Sequence, residues 1–306
     1  MSGQHAWYML DGKSKLPLET NMLRNIIVLL ALCGVAALGQ NQPAAGRGGP
    51  PALATQQIKP GLYMISGAGA NTEVRVTSEG LIVVDGKLPG EQNYKALMDQ
   101  IRTISAQPIK YLIVTQHHAD HSGNNDRFLA AGVQIIGQEN LNANLDKQTP
   151  KLASATITYG RDYTIQLGGV VVEAHHFGNA HTSGDTMVYF PDLKVVAVSD
   201  DVTPPIPGPL ADYAGGGSFL DWPQTLDGVL KLDFDTAIPG NGNPITKADV
   251  LDFRNKIEIF VNRSKDAIHK GVPKDQLLGQ IKTDDLGWKA RVPNVDPFYE
   301  ELSRAK

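Results

Sequence analysis

Two stretches of this chain, Leu81-Ile82-Val83-Val84 and Ile109-Lys110-Tyr111-Leu112-Ile113-Val114-Thr115, are apolar almost without interruption. A strand with one wet face alternates polar and apolar residues. An unbroken run marks a strand covered on both faces. Such strands require layers above and below them, so the chain has to fold as a stack. Around them, 62–65 and 72–77 read as further strands, and Thr72-Glu73-Val74-Arg75-Val76-Thr77 alternates as a half-wet strand does. Residues 156–159, 162–167, 170–175, 186–190, 194–199 and 236–238 form a second cluster of strand-like runs. Helices are expected at 91–104, 221–232, 248–270 and 274–282, the last two with the mixed charge of solvated outer faces. Two strand clusters, each followed by helix, predict two packed sheets with helices outside, an α/β (α+β) arrangement.

The first 57 residues are set apart. Arg24 precedes the apolar run 26–38, and small residues at Ala37 and Gly39 are spaced as a signal peptidase requires. This predicts an upstream extension at 1–21 with Met22 as the true start, and a signal peptide at 22–39. An uncut membrane anchor is the alternative. Residues 40–57, rich in Gly, Pro, Ala and Gln, read as a flexible leader. One domain is then expected over 58–306. A cleaved signal implies a periplasmic or secreted protein with no stable membrane span. Net charge is −4, so a reader of nucleic-acid backbone is not expected. Cys33 is the only cysteine, which excludes an intramolecular disulfide and a thiolate zinc cage.

Six of the eight histidines fall in two short stretches. The first, Gln116-His117-His118-Ala119-Asp120-His121, directly follows a buried run. A strand-to-loop junction holds side chains firmly while leaving them open to a cleft. Imidazoles with a carboxylate are what zinc takes in open catalytic sites. The second is His175-His176-Phe177-Gly178-Asn179-Ala180-His181-Thr182-Ser183-Gly184-Asp185-Thr186. A third run ends in Ser199-Asp200-Asp201, and a fourth reads Pro239-Gly240-Asn241-Gly242. Ser183 lacks the glycine pattern of a nucleophile elbow. Gly215-Gly216-Gly217, read as a flexible loop, lacks the Lys and Ser/Thr of a phosphate cradle.

In this order the motifs resemble the metallo-β-lactamase superfamily over about residues 58–245. The resemblance implies a four-layer αββα sandwich with metal bound at one edge between the sheets. It departs at two positions, where Gln116 and Asn241 replace the family's histidines; Gln stands at the first of these in some third-subclass enzymes. By family position a first metal would take His118 and His181 with Gln116 as a weak third. A second would take Asp120 and His121 with Asn241, and Asp200 would bridge. Asp120 would also serve catalysis by orienting the attacking water and accepting its proton. Asp85 and Asp185 match supporting positions behind the ligands, and one of His175 and His176, taken as His176, is expected to support or replace a ligand. His117 is expected on the solvated surface. One or two Zn2+ ions are implied, with iron or manganese possible at the oxygen-rich second position. The expected activity is hydrolysis of a small carbonyl substrate, a β-lactam first, with lactones, esters and thioesters as alternatives. A non-catalytic relative that lost one metal is the competing class.

Overall fold

The computed structural model describes residues 52–206 and 208–305, which all fall in one compact unit. The expected extension, signal peptide and most of the leader lie outside them. Among the described residues, thirteen strands form two mixed sheets. The first holds β1 (Ala54–Lys59), β2 (Leu62–Ser66), β3 (Thr72–Val76), β4 (Leu81–Val84), β5 (Ile109–Ile113), β6 (Gln134–Gln138) and β7 (Ile157–Tyr159), in chain order. β1 to β4 run antiparallel, and β4 to β7 run parallel. Parallel neighbours need crossovers. These are α1 (Glu91–Ile104), then α2 (Ala119–Ser122) with α3 (Asn125–Ala130), then α4 (Glu139–Leu145).

The second sheet holds β8 (Asp162–Leu167), β9 (Val170–His175), β10 (Met187–Phe190), β11 (Val195–Ser199), β12 (Thr236–Pro239) and β13 (Ile245–Thr246). Only β11 and β12 are parallel here, joined through α5 (Trp222–Val229). The helices α6 (Lys247–His269), α7 (Leu277–Gln280) and α8 (Val295–Arg304) follow.

The continuous apolar runs build three cores at once. In β4, Ile82 and Val84 face the second sheet, while Leu81 and Val83 face Leu97 and Ile101 of α1. In β10 and β11, Val188, Phe190, Val195 and Ala197 fill the space between the sheets. Met187, Tyr189, Val196 and Val198 face α5, α6 and α8. The order of layers is therefore helix, sheet, sheet, helix. No helix among the described residues is long and apolar enough to cross a membrane.

Four expectations are corrected. The leader does not extend to Gln57, because Ala54–Lys59 is an edge strand on β2; its exposed polar residues give no apolar signal. β3 has no wet face, since Thr72 to Arg75 are all buried. The late helices are not merely solvated: α6 buries Val250, Phe253, Ile257, Phe260 and Val261 against α5 and α8. The glycine-rich loop is ordered as a short 3-10 turn at Tyr213–Gly215, which Asp212 caps by accepting from the Gly215 N–H. β6 and α8 were not expected; β6 offers only two branched apolar residues, and α8 carries Pro297 in its first turn.

Candidate metal centre

The carboxyl ends of β4, β5, β11 and β12 meet at one edge of the sandwich, and the candidate residues sit on the turns that follow. Asp85 and Ser199 take left-handed backbone there, φ 60° and 47°. That conformation is costly for a residue with a Cβ and is held by the contacts around it. Asp85 accepts from the Thr115 N–H at 2.8 Å and the Thr115 hydroxyl at 2.7 Å. With its hydrogen committed to Asp85, the Thr115 hydroxyl accepts from Ser199, 2.7 Å away, and so joins the two sheets. Gly240 is required beside it, because a Cβ there would lie 2.3 Å from Asp200 Oδ1. Asn71 holds the turn carrying Asn241: its amide donates to the carbonyls of Pro239 and Gly242 at 2.9 and 3.0 Å.

Every imidazole of the centre has one nitrogen fixed by the protein. His121 Nδ1 lies 2.7 Å from Asp85, His181 Nδ1 lies 2.6 Å from the Leu210 carbonyl, and His118 Nε2 lies 3.0 Å from Asp212. These partners only accept, so each of those nitrogens carries the hydrogen. The remaining nitrogen of each ring faces inward, where a neutral ring offers its lone pair and a protonated one a hydrogen. His118 Nδ1 faces His181 Nε2 at 3.0 Å, and Asp200 Oδ2 lies 3.6 Å from the latter. His121 Nε2 is 3.2 Å from Asp200 and 3.7 Å from Asp120. Lone pairs and carboxylates aimed at one another repel unless a cation stands among them. The ligand atoms of His118, His181 and Asp200 lie within 4.8 Å of one another, as do those of Asp120, His121 and Asp200. An acceptor behind each ring is the arrangement that orients imidazole ligands for metals. The donor set fits one or two divalent ions.

The electrostatics agree. Burial alone would lower the His121 pKa, but Asp85, Asp120 and Asp200 outweigh it and hold it well above 6.5. Here a proton substitutes for an ion. Burial and the neighbouring His118 instead push His181 down. Burial would raise Asp200, yet His121, His181 and His118 hold it well below the usual carboxylate range. Asp201 accepts from the His181 N–H at 3.5 Å, and burial next to Asp185 drives its pKa well up.

The remaining candidates are placed as follows. Gln116 is fully buried; its carbonyl accepts from the His118 N–H at 2.6 Å, and its amide donates to Asp200 at 3.2 Å. Asp185 caps the ligand loop, accepting from the Thr182 N–H at 2.7 Å and from its hydroxyl. His176 Nδ1 donates to the Asp185 carbonyl at 2.8 Å, while His175 lies against Asp162 and Glu173. His117 is not on the surface. It is 6% exposed, and its Nε2 lies 3.2 Å from the same Asp212 oxygen that faces His118. Gly215 makes this possible, since a Cβ would fall 2.5 Å from the His117 ring. Asp212 escaped the sequence analysis. Its one local signal is a polar residue three before a glycine, as at a turn cap.

Residues 69–240 match the family model for the Metallo-beta-lactamase superfamily. Among solved structures, a metallo-beta-lactamase from Pontibacter korlensis is similar, with a TM-score of 0.61 at 18% identity over 68% of this chain and 99% of that one. Among curated proteins, the 2,4-dinitroanisole O-demethylase subunit alpha of a Nocardioides species is 26% identical over 65% of this chain and 60% of its own length. A linear primary-alkylsulfatase of a Pseudomonas species is 24% identical over 67% of this chain and 48% of its own. The chain thus spans about half to three-fifths of these two relatives.

Proposed function

The chain belongs to the metallo-β-lactamase superfamily, and from that premise we propose that it is a metal-dependent hydrolase of a small substrate with a carbonyl group, the β-lactam ring being the first candidate. The observation that carries this reading is the convergence of His118, His181, Asp200, Asp120 and His121 on one sheet edge with their free nitrogens and oxygens turned inward. His118 and His181 would hold a first ion; Gln116, whose carbonyl is taken by the His118 N–H, would steady Asp200 through its amide rather than serve as the third ligand. Asp120 and His121, with Asn241, would hold a second, and Asp200 would lie between. Zinc suits the imidazoles, while iron or manganese suits the oxygen-rich side. When bound, such an ion supplies Lewis acidity and brings the pKa of water to about 7. The protein does the rest. Asp120, whose carboxylate lies 3.7 Å from His121 Nε2, would orient the attacking water and accept its proton. Asp85 and Leu210 keep His121 and His181 from rotating. The apolar run at 26–38 supports action in the periplasm or outside the cell.

A second reading comes from the two curated relatives, whose names specify an aryl ether and an alkyl sulfate rather than a lactam. One experiment separates these. The protein is purified metal-replete, its metal is counted, and it is assayed against a chromogenic cephalosporin, an aryl ester, a thioester, a lactone, an aryl methyl ether and an alkyl sulfate. Bound metal with turnover of a carbonyl compound is expected. Turnover of only the ether or the sulfate moves the assignment to the second reading. No bound metal and no turnover sinks both, leaving a non-catalytic relative.

A further inference from the structure

A third set of donor atoms lies beside the centre and shares one histidine with it. The loop after β5 carries His117 next to His118, and the turn at Tyr213–Gly215 brings Asp212 back onto both. His117 Nε2 and His118 Nε2 lie 3.2 and 3.0 Å from the same carboxylate oxygen, Asp212 Oδ2. All three atoms fall within 4.8 Å of one another. Ligands at about 2.0–2.2 Å from a tetrahedral zinc ion stand about 3.3 Å apart, close to these separations. The other Asp212 oxygen accepts from the Gly215 N–H at 3.1 Å, which leaves Oδ2 to the rings. Gly215 also keeps the space open, since a Cβ would lie 2.6 Å from Asp212 Oδ2 and 3.1 Å from His117 Nε2. The side chains of His118 and Asp212 are 29% and 21% exposed, so an ion and water can reach them.

Hydrogen bonds alone leave this group unsatisfied. A neutral His118 carries one hydrogen. With that hydrogen on Nε2, the ring donates to Asp212, and its bare Nδ1 faces His181 Nε2 at 3.0 Å. The His181 hydrogen is committed to the Leu210 carbonyl, so two lone pairs then oppose each other. With the hydrogen on Nδ1, His118 donates to His181, and its bare Nε2 faces the Asp212 carboxylate instead. A neutral His118 therefore calls for a cation on one side or the other. His181 and Asp200 stand ready on the first side, and His117 and Asp212 on the second. His117 can take part because its Nδ1 is buried without a partner. That nitrogen can carry the ring hydrogen when an ion takes Nε2, and no existing bond to Nδ1 is broken.

We infer that His117, His118 and Asp212 form a further divalent-cation site, which competes with the first ion for His118. Two imidazoles and one carboxylate suit a zinc-type ion. An imidazole that keeps one hydrogen offers one lone pair at a time, so an ion on either side takes His118 from the other. The site does not depend on the hydrolase reading, and its test reads binding rather than turnover. The probe is Co2+, which substitutes for zinc and absorbs visible light. His121→Ala combined with His181→Ala removes a ligand from each of the other two ion positions. This double variant is expected to bind one Co2+ still. Adding His117→Ala is expected to weaken that binding by at least about tenfold, the least that loss of a mere supporting residue costs a metal site. A double variant that binds no Co2+, or one whose affinity His117→Ala leaves unchanged, overturns the inference. If circular dichroism shows the double variant unfolded, the single variant His181→Ala decides. Anomalous scattering from its crystals grown with Co2+ should place an ion within about 2.2 Å of His117 Nε2 and Asp212 Oδ2. No ion at that point refutes the site, whatever is bound elsewhere.

Discussion

His118 is held by two neighbours of opposite character: one ring nitrogen faces the Asp212 carboxylate and the other faces the His181 lone pair. Asp212 decides which nitrogen carries the hydrogen, and so which one is available to an ion. Burial would raise its pKa, but hydrogen bonds from His117 and His118 hold it well below the usual carboxylate range. Asp212→Asn keeps the shape and removes the charge. It is expected to weaken metal binding by about 10- to 100-fold in a competitive metal titration; an unchanged affinity would show that Asp212 does not set the ring. The residues legible in the sequence were those whose chemistry is written into short motifs, among them Asp85, which stands right after a buried run. Asp212 was not legible because its partners are 94 and 95 residues away and only the return of the loop brings them together. His117 was misjudged for a related reason. Nothing beside it in sequence buries it; Gly215 does, by leaving room for its ring.

At the scale of elements, the buried runs and their ends were legible because apolar continuity reports burial directly. Alternation was a weaker guide. β3 alternates as a half-wet strand should, yet its polar face lies between the sheets. Glu73 stands opposite Met64 and Val84, both part of the core between the two sheets. The strand tolerates this because Arg75 pairs with Asp192 on the turn between β10 and β11, and because Glu73 is driven toward its neutral form. Burial, with help from Asp85, raises the Glu73 pKa to about 8. Between the ordinary value of 4.5 and about 8 the folded chain binds one proton more than the unfolded chain, so this residue's contribution to stability falls as pH rises. Lys87, lowered by burial to about 7, contributes the opposite slope only above that pH. Glu73→Gln mimics the protonated acid at every pH. Relative to wild type, it should gain about 2 kcal/mol of unfolding free energy between pH 5.5 and 7, at 1.36 kcal/mol per unit. Denaturant titrations at the two pH values measure this; parallel behaviour of the two proteins would mean that Glu73 ionises freely.

For the whole molecule, the centre is a seam. Asp85, Thr115, His118 and His121 come from the first sheet's edge, and His181, Ser199 and Asp200 come from the second. In the ion-free chain the seam is held by the Thr115–Ser199 hydrogen bond and by a proton on His121 among three carboxylates. A divalent ion that binds only the folded state would replace that proton and stabilise the fold by about 4 kcal/mol at a thousandfold excess over its dissociation constant. Chelation should therefore lower the thermal midpoint, and the loss should depend on pH. The His121 pKa is raised in the folded state, so the stability its proton provides is complete below 6.5 and disappears as pH climbs through the folded value. Metal-free protein should fall behind metal-loaded protein increasingly above neutrality. Hydrogen exchange should locate the loosening at 85–87, 115–121 and 199–201, and leave α6, which is packed on the far side of the second sheet, unchanged. A chelation penalty that stayed constant from pH 6 to 9, or exchange that rose first in α6, would mean that the two sheets are not joined through this edge.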